Sequence, residues 1–135
     1  MKPPLLLCAR AKKTKNGQTN EESNSLRLLG SLERENGRFG EAVKLLQESL
    51  GIDKQIGESH KIALDLEELA ALSGDQGDLN MMVQYLDRAF SVYMNGGRMD
   101  KAASTQLKMA EIYRKTGDMN LAEKALQAAE QLMRK

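Results

Sequence analysis

The sequence predicts an all-α fold, an α–α superhelix of three helical hairpins, and three observations favour it. Leu, Ala, Glu, Lys, Met and Gln are abundant, and their side chains lose little rotamer freedom in a helix. Six glycines recur at a constant spacing of 20 residues. The apolar residues between them follow helical periodicity. A fixed period of this kind is typical of repeat proteins, in which each unit packs on its neighbours.

Composition and charge narrow the range of functions. The chain has 135 residues, of which 41% are hydrophobic and 29% charged, as expected for one globular domain. The net charge of +1 predicts no general attraction to nucleic acid or to anionic membranes. No apolar run approaches the ~20 residues that span a bilayer, and the leucines near the N-terminus are too few for a signal peptide. Together with a single cysteine, Cys8, these features predict a cytoplasmic protein that binds neither nucleic acid nor membrane.

The glycine spacing reveals a repeat of 40 residues. The glycines form two series with this step: Gly17, Gly57 and Gly97, and Gly37, Gly77 and Gly117. When residues 57–96 are aligned with residues 97–135, nine positions are identical, against roughly two or three expected from average residue usage. The sequence therefore predicts one domain over residues 17–135, with repeats at 17–56, 57–96 and 97–135.

Each repeat is predicted to be a pair of helices joined by a short turn. The first halves carry apolar stripes: Leu26, Leu29 and Leu32; Leu66, Leu69 and Leu72; Met109 and Ile112. The second halves carry others: Phe39, Val43, Leu46 and Leu50; Leu79, Val83, Leu86 and Phe90; Met119 and Leu126. Such stripes are typical of helices that bury one face. In chain order, the predicted helices span residues 20–36, 40–56, 60–76, 80–96, 100–116 and 120–134.

Turn residues and small residues support this assignment. The glycines are expected to close helices with positive φ. Asn80 and Asn120 are expected to cap the N-termini of the second helices. Three columns of mostly small residues predict close helix crossings: Gly30, Ala70 and Ala110; Ala42, Met82 and Ala122; Ser49, Ala89 and Ala129. A larger residue at such a crossing typically costs about 1–3 kcal/mol.

At these columns the chain resembles the tetratricopeptide repeat (TPR) family, in its lengthened 40-residue variety. The stretch LRLLGSLERENGRFGEAVKLLQES carries the matching Leu26, Leu29, Gly30, Gly37, Phe39, Ala42, Leu46 and Ser49. The stretch QLKMAEIYRKTGDMNLAEKALQAA carries Met109, Ala110, Tyr113, Gly117, Ala122, Leu126 and Ala129. The middle repeat departs from the pattern, since Met82 replaces the expected Ala. The resemblance covers nearly the whole chain and implies a helical solenoid that binds protein partners.

Residues 1–16 have two interpretations, a partial N-terminal helix or a disordered basic tail. The helix is suggested by residues that lie 40 positions before Leu45, Leu46 and Ser49, namely Leu5, Leu6 and Ala9. It would be the second helix of an earlier hairpin and would expose apolar surface. We then expect either a homodimer through this helix or a chain that is a fragment of a longer array.

No residue pattern indicates an enzyme. The glycines do not cluster into a phosphate-binding loop, and GDQGD at residues 74–78 lacks the alternating acidic ligands of a calcium loop. His60 has no metal-ligating residue in register, and Cys8 has no assignable base to activate it. We therefore expect no catalytic residue, no metal and no cofactor.

The TPR resemblance implies that a partner binds on the concave face, which the first helices line. By register this face includes Asn24, Arg27, Ser31, Arg34, Leu64, Glu67, Glu68, Asp75, Ser104, Lys108, Glu111 and Arg114, with Leu28, Ala71 and Leu107 beside them. Its charge is positive in the first repeat, negative in the second and mixed to positive in the third, which suits a peptide of complementary charge. The family's clamp for a C-terminal carboxylate is not expected, because Arg27 and Ser31 hold its Lys and Asn positions.

The leading hypothesis is a non-enzymatic protein–protein interaction module, a scaffold or adaptor that binds a peptide or partner helix in the concave groove. The alternative is a self-assembly element that homodimerises or swaps domains through its incomplete ends. A fragment of a longer TPR regulatory protein is also left open.

Overall fold

The computed structural model describes residues 17–134, and these residues form an all-α fold. In chain order the helices are α1 (Asn20–Glu35), α2 (Phe39–Ile56), α3 (Ser59–Asp75), α4 (Leu79–Asn95), α5 (Met99–Thr116) and α6 (Met119–Met133). Every end lies within one residue of its predicted position. The predicted all-α fold of helical hairpins is confirmed.

The chain divides into two compact units, Met1–Glu58 and Ser59–Lys135. In the first unit α1 packs against α2. In the second unit α3 packs against α4, α4 against α5, and α5 against α6. Each helix of the second unit therefore lies beside the next helix in the chain, as in stacked hairpins.

The turn glycines adopt the predicted backbone conformation. Positive φ angles between 73° and 85° occur at Gly17, Gly37, Gly57, Gly77, Gly97 and Gly117. Gly57 shows the consequence most clearly, because at φ 85° its N–H donates to the carbonyl oxygen of Asp53 and closes α2. A residue with a Cβ would be strained there, so this position favours glycine.

The N-caps of the second helices differ from the prediction. The Asp78 side chain accepts a hydrogen bond from the backbone N–H of Met81 at 3.0 Å, and Asp118 accepts one from Leu121 at 3.4 Å. The predicted caps, Asn80 and Asn120, already lie in the first helical turn. The prediction was wrong because both helices begin one residue earlier than expected, which makes the Asp after each turn glycine the cap.

The core of the second unit joins three helices. Ala70, Leu86, Met109 and Ile112 form one buried cluster, with Leu86 2% exposed. Partly buried residues pack against it: Leu79, Met82, Val83, Tyr85 and Tyr113. The apolar stripes of α3, α4 and α5 thus meet in this cluster.

Small residues lie at close helix crossings, as predicted. Gly30 of α1 is buried, and a Cβ added there would lie 2.8 Å from Cγ of Leu46 in α2. In the middle repeat, Met82 takes the place of alanine. Its Sδ occupies the space beside Gly74, where an added Cβ would lie 2.8 Å away. The large Met82 is therefore accommodated because the residue of α3 that it contacts is a glycine, Gly74.

Two of the predicted apolar stripes are partly exposed. Leu29 and Leu32 of α1 are 49% and 45% exposed, although the stripe predicted burial. Leu126 of α6 is 37% exposed, whereas its equivalent Leu86 is 2% exposed. Within residues 17–134, α1 is the first helix and α6 the last, and no other helix of this part of the chain covers these two faces.

Several predictions concern residues 1–16, which lie outside the described residues. They are the partial N-terminal helix, the basic tail and the homodimer through that helix. Of the helices in the described part of the chain, none combines the length and apolarity needed to cross a membrane.

Candidate functional site

The twelve residues predicted to contact a partner lie on α1, α3 and α5, the first helices of the hairpins. Six of them are exposed: Asn24, Asp75, Ser104, Lys108, Glu111 and Arg114. The other six are half-buried: Arg27, Ser31, Arg34, Leu64, Glu67 and Glu68. Hydrogen bonds bring together Asn24 with Arg27 in the first unit and Glu67 with Lys108 in the second.

Arg27 pairs with a buried carboxylate in the first unit. Asp53 of α2 is fully buried, and its Oδ2 lies 3.3 Å from Nη1 of Arg27. Its Oδ1 accepts a hydrogen bond from Ser23 Oγ at 2.6 Å. Nη2 of Arg27 donates to Asn24 Oδ1 at 2.7 Å, and Ser49 Oγ donates to the Ser23 carbonyl oxygen at 2.9 Å. These contacts tie α1 to α2, so two predicted partner contacts also stabilise the hairpin.

Glu67 joins three helices of the second unit. Its Oε2 accepts a hydrogen bond from the Tyr93 hydroxyl of α4 at 2.5 Å, and its Oε1 accepts one from Lys108 Nζ of α5 at 2.9 Å. The Lys108 side chain remains 51% exposed, so this ion pair is open to solvent. Burial, and then the hydrogen bond to Glu67, raise the pKa of Tyr93 above its ordinary value of 10.0.

The raised pKa predicts a loss of stability at alkaline pH. Since Tyr93 holds its proton more tightly in the folded protein, its contribution to the free energy of unfolding is complete below pH 10 and falls as the pH rises. Urea unfolding from about pH 8 to about pH 11.5 should show a steeper loss for the wild type than for Tyr93→Phe, which lacks the titrating hydroxyl. Tyr113, whose pKa is also raised by burial, titrates in both proteins. Equal slopes would contradict the prediction.

Asp53 and Tyr93 are site residues that sequence reasoning missed. Each lies 26 residues after its first-helix partner, Arg27 or Glu67. The Arg27–Asp53 and Glu67–Tyr93 contacts therefore occupy equivalent positions of two repeats. Each contact joins the two helices of one hairpin. Both residues could have been predicted by searching for a hydrogen-bonding residue 26 positions after a charged residue of a first helix. In the third hairpin, the position equivalent to Arg27 and Glu67 holds an apolar residue, Leu107.

Two exposed leucines lie on the predicted face. Leu28 of α1 is 63% exposed, and Leu107 of α5 is 41% exposed. Single exposed leucines are common on protein surfaces. On α5, however, the leucine lies among exposed polar side chains of the predicted set, Ser104, Lys108 and Glu111. An apolar side chain surrounded by polar ones is the arrangement found at the centre of many protein interfaces.

Metal-ligating side chains are not grouped in the part of the chain that the structure describes. Among residues 17–134, no group of three or more His, Cys, Asp or Glu side chains could hold a metal ion. The arrangement on α3 and α5 can instead supply charge-assisted hydrogen bonds and apolar contact to a bound chain.

Comparisons with known proteins identify the repeat type. The family model described as soluble NSF attachment protein, SNAP, matches residues 30–135. BtubC (BKLC) from P. vanneervenii superposes with a TM-score of 0.72 at 19% identity, covering 84% of this chain and 46% of that one. A putative kinesin light chain from P. anserina, with nearly identical TPR-like repeats, has a TM-score of 0.65 at 22% identity, covering 86% and 57%. No curated protein matches the sequence significantly.

These likenesses confirm the TPR-like repeat that the sequence pattern indicated. At 19% and 22% identity the two solved structures show the fold alone. The chain spans about half the length of either structure, 46% and 57%.

Proposed function

The chain belongs to the soluble NSF attachment protein (SNAP) family, and on this premise we propose that it is a non-enzymatic protein–protein interaction module, a scaffold or adaptor. TPR-like helical repeats are generally protein-interaction modules, and the family's name itself describes attachment to a protein, NSF. The proposed ligand is a peptide or partner helix that lies along the first helices. The observation that carries the proposal is the exposed Leu107 among polar side chains on α5.

Charge indicates which peptides the second unit would prefer. Its predicted contact residues include four acidic and two basic side chains: Glu67, Glu68, Asp75 and Glu111, with Lys108 and Arg114. By formal charge this set has two more acidic than basic side chains, and Lys108 already pairs with Glu67. Complementary charge steers association and suppresses wrong partners. We therefore propose a partner segment with one apolar residue for Leu107 and basic residues on either side of it.

Binding of designed helical peptides tests this proposal. The peptides share one leucine-containing face and differ in net charge from acidic to basic, and fluorescence anisotropy measures their affinities. We expect the basic peptides to bind most tightly and Leu107→Asp to weaken their binding about tenfold or more, because loss of a central hot-spot side chain costs about 2 kcal/mol or more. Comparing the binding of full-length NSF to the wild type and to Leu107→Asp then tests NSF as a partner.

Met81→Asp is the matched control. Met81 is 38% exposed, close to the 41% of Leu107, but it lies on the second helix α4. This variant should bind the peptides like the wild type. Equal weakening by both substitutions, or none by either, would contradict the proposal.

The remaining parts of the proposal follow from the sequence. The twelve predicted contact residues, the repeat bounds, a cytoplasmic location and the lack of nucleic-acid or membrane partners are retained as expectations. In the first unit, Leu28 is the residue proposed to act as Leu107 does in the second.

A further inference from the structure

Helix α6 exposes the face that α5 covers on α4. Leu86 of α4 is 2% exposed because it packs in one cluster with Met109 and Ile112 of α5. Its equivalent 40 residues later, Leu126 of α6, is 37% exposed. Met119, at the start of the same face, is 61% exposed. The apolar face of α6 is therefore equivalent to the face of α4 on which the first helix α5 packs.

Helix α1 exposes the face with which such a helix docks. Leu29 and Leu32 stand 80 residues before Met109 and Ile112, at the same repeat positions. They are 49% and 45% exposed, whereas Met109 and Ile112 are each 5% exposed against α4. The uncovered faces of α1 and α6 are thus the two sides of the interface that α5 and α4 already make.

We propose that copies of this chain associate head to tail, with α1 of one copy docked on α6 of the next as α5 docks on α4. In this arrangement Leu29 and Leu32 of one copy contact Leu126 and Met119 of the other. The interface is heterologous, because it joins two different surfaces. Each dimer therefore keeps one uncovered surface of each kind and can add further copies. Repeat arrays are stabilised by nearest-neighbour interfaces of this type.

Charged residues modulate the proposed interface. Helices joined by a short turn run antiparallel, so Glu22 in the first turn of α1 would lie near Arg134, which pairs with Glu130 at the end of α6. At the opposite end, Glu33 and Glu123 occupy the repeat positions of Tyr113 and Val83, which pack on the α4–α5 cluster. Glu33 already pairs with Arg38 at 3.5 Å, which offsets only part of its repulsion with Glu123. We therefore expect weak association, with a dissociation constant on the order of 100 μM.

Sedimentation velocity of the full chain and two charge variants tests the proposal. From about 10 μM to about 1 mM, the wild type should form species that grow beyond a dimer. Leu29→Glu and Leu126→Glu should each remain monomeric, since each places a carboxylate in the apolar contact. Mixed in equal amounts, they should form a dimer that grows no further, because each variant retains the surface that the other has lost.

Gln127→Glu is the matched control. It adds the same charge next to Leu126, at the repeat position of Asp87, which is exposed on α4 while α5 is docked. This variant should associate like the wild type, and far-UV circular dichroism should show that all variants are folded.

Several results would overturn the proposal. They are a wild type that stays monomeric to about 1 mM, a single charge variant that still associates alone, and a mixture that forms no dimer. If only a chain without residues 1–16 associates, that segment covers α1 in the full chain and the head-to-tail interface is excluded.

Discussion

Leu86→Ala should destabilise the second unit by about 2–5 kcal/mol, whereas Leu126→Ala should cost less than about 1.5 kcal/mol. The two leucines occupy the same position in successive repeats, so local sequence pattern does not distinguish them. Leu86 is 2% exposed and packs with Ala70, Met109 and Ile112. Truncating it removes apolar burial and leaves a cavity among these side chains. Leu126 is 37% exposed, and water can fill the space that its side chain vacates.

Urea unfolding followed by circular dichroism measures both costs. Protein at about 5 μM keeps the chains dissociated, because self-association would stabilise the folded state by mass action. An unchanged dependence of free energy on urea in both variants would show that the compactness of the end states is the same. Similar costs for the two substitutions would contradict the prediction, since they would mean that the α6 face is covered within a single chain.

The fold was predictable because local chemistry determines it. A glycine at a fixed step follows each of the helices α1 to α5, and an apolar stripe marks the face of each helix that prefers burial. Periodicity does not show whether a neighbour covers that face, which is why Leu29 and Leu32 were predicted buried and are exposed. The N-caps failed for a different reason: the helix begins one residue earlier than predicted, at Leu79, and its cap is the preceding residue, Asp78, instead of Asn80.

The candidate site was predictable only in part. Repeat register places Arg27, Glu67 and Lys108 on first helices, where they were expected to serve a partner. The spacing of 26 residues marks Asp53 and Tyr93 as candidate partners of Arg27 and Glu67, but it does not show that the bonds form, because they depend on how closely two helices cross. Arg27, Glu67 and Lys108 therefore have partners within the chain.

Arg27→Met should destabilise the first unit by about 3–5 kcal/mol, because removing one member of a buried ion pair leaves the other charge uncompensated. The Asp53 side chain is fully buried, and that of Arg27 is only 15% exposed. In this variant the Asp53 carboxylate would keep its hydrogen bond from Ser23. Adding Asp53→Asn should recover much of the loss, since the amide oxygen can still accept that bond without carrying charge. Urea unfolding of the two single variants and the double variant gives the coupling energy.

Lys108→Met is the matched control and should cost less than about 1 kcal/mol. It also removes the cation of an ion pair, but Lys108 is 51% exposed and Glu67 keeps the hydrogen bond from Tyr93. Equal costs for Arg27→Met and Lys108→Met would show that burial of Asp53 does not set the strength of its pair. If the predicted difference is observed, a substitution of Arg27 that abolishes partner binding could act by unfolding the α1–α2 hairpin and not by removing a partner contact. Substitutions at the exposed Leu28 then report on binding in the first unit without removing the cation that Asp53 requires.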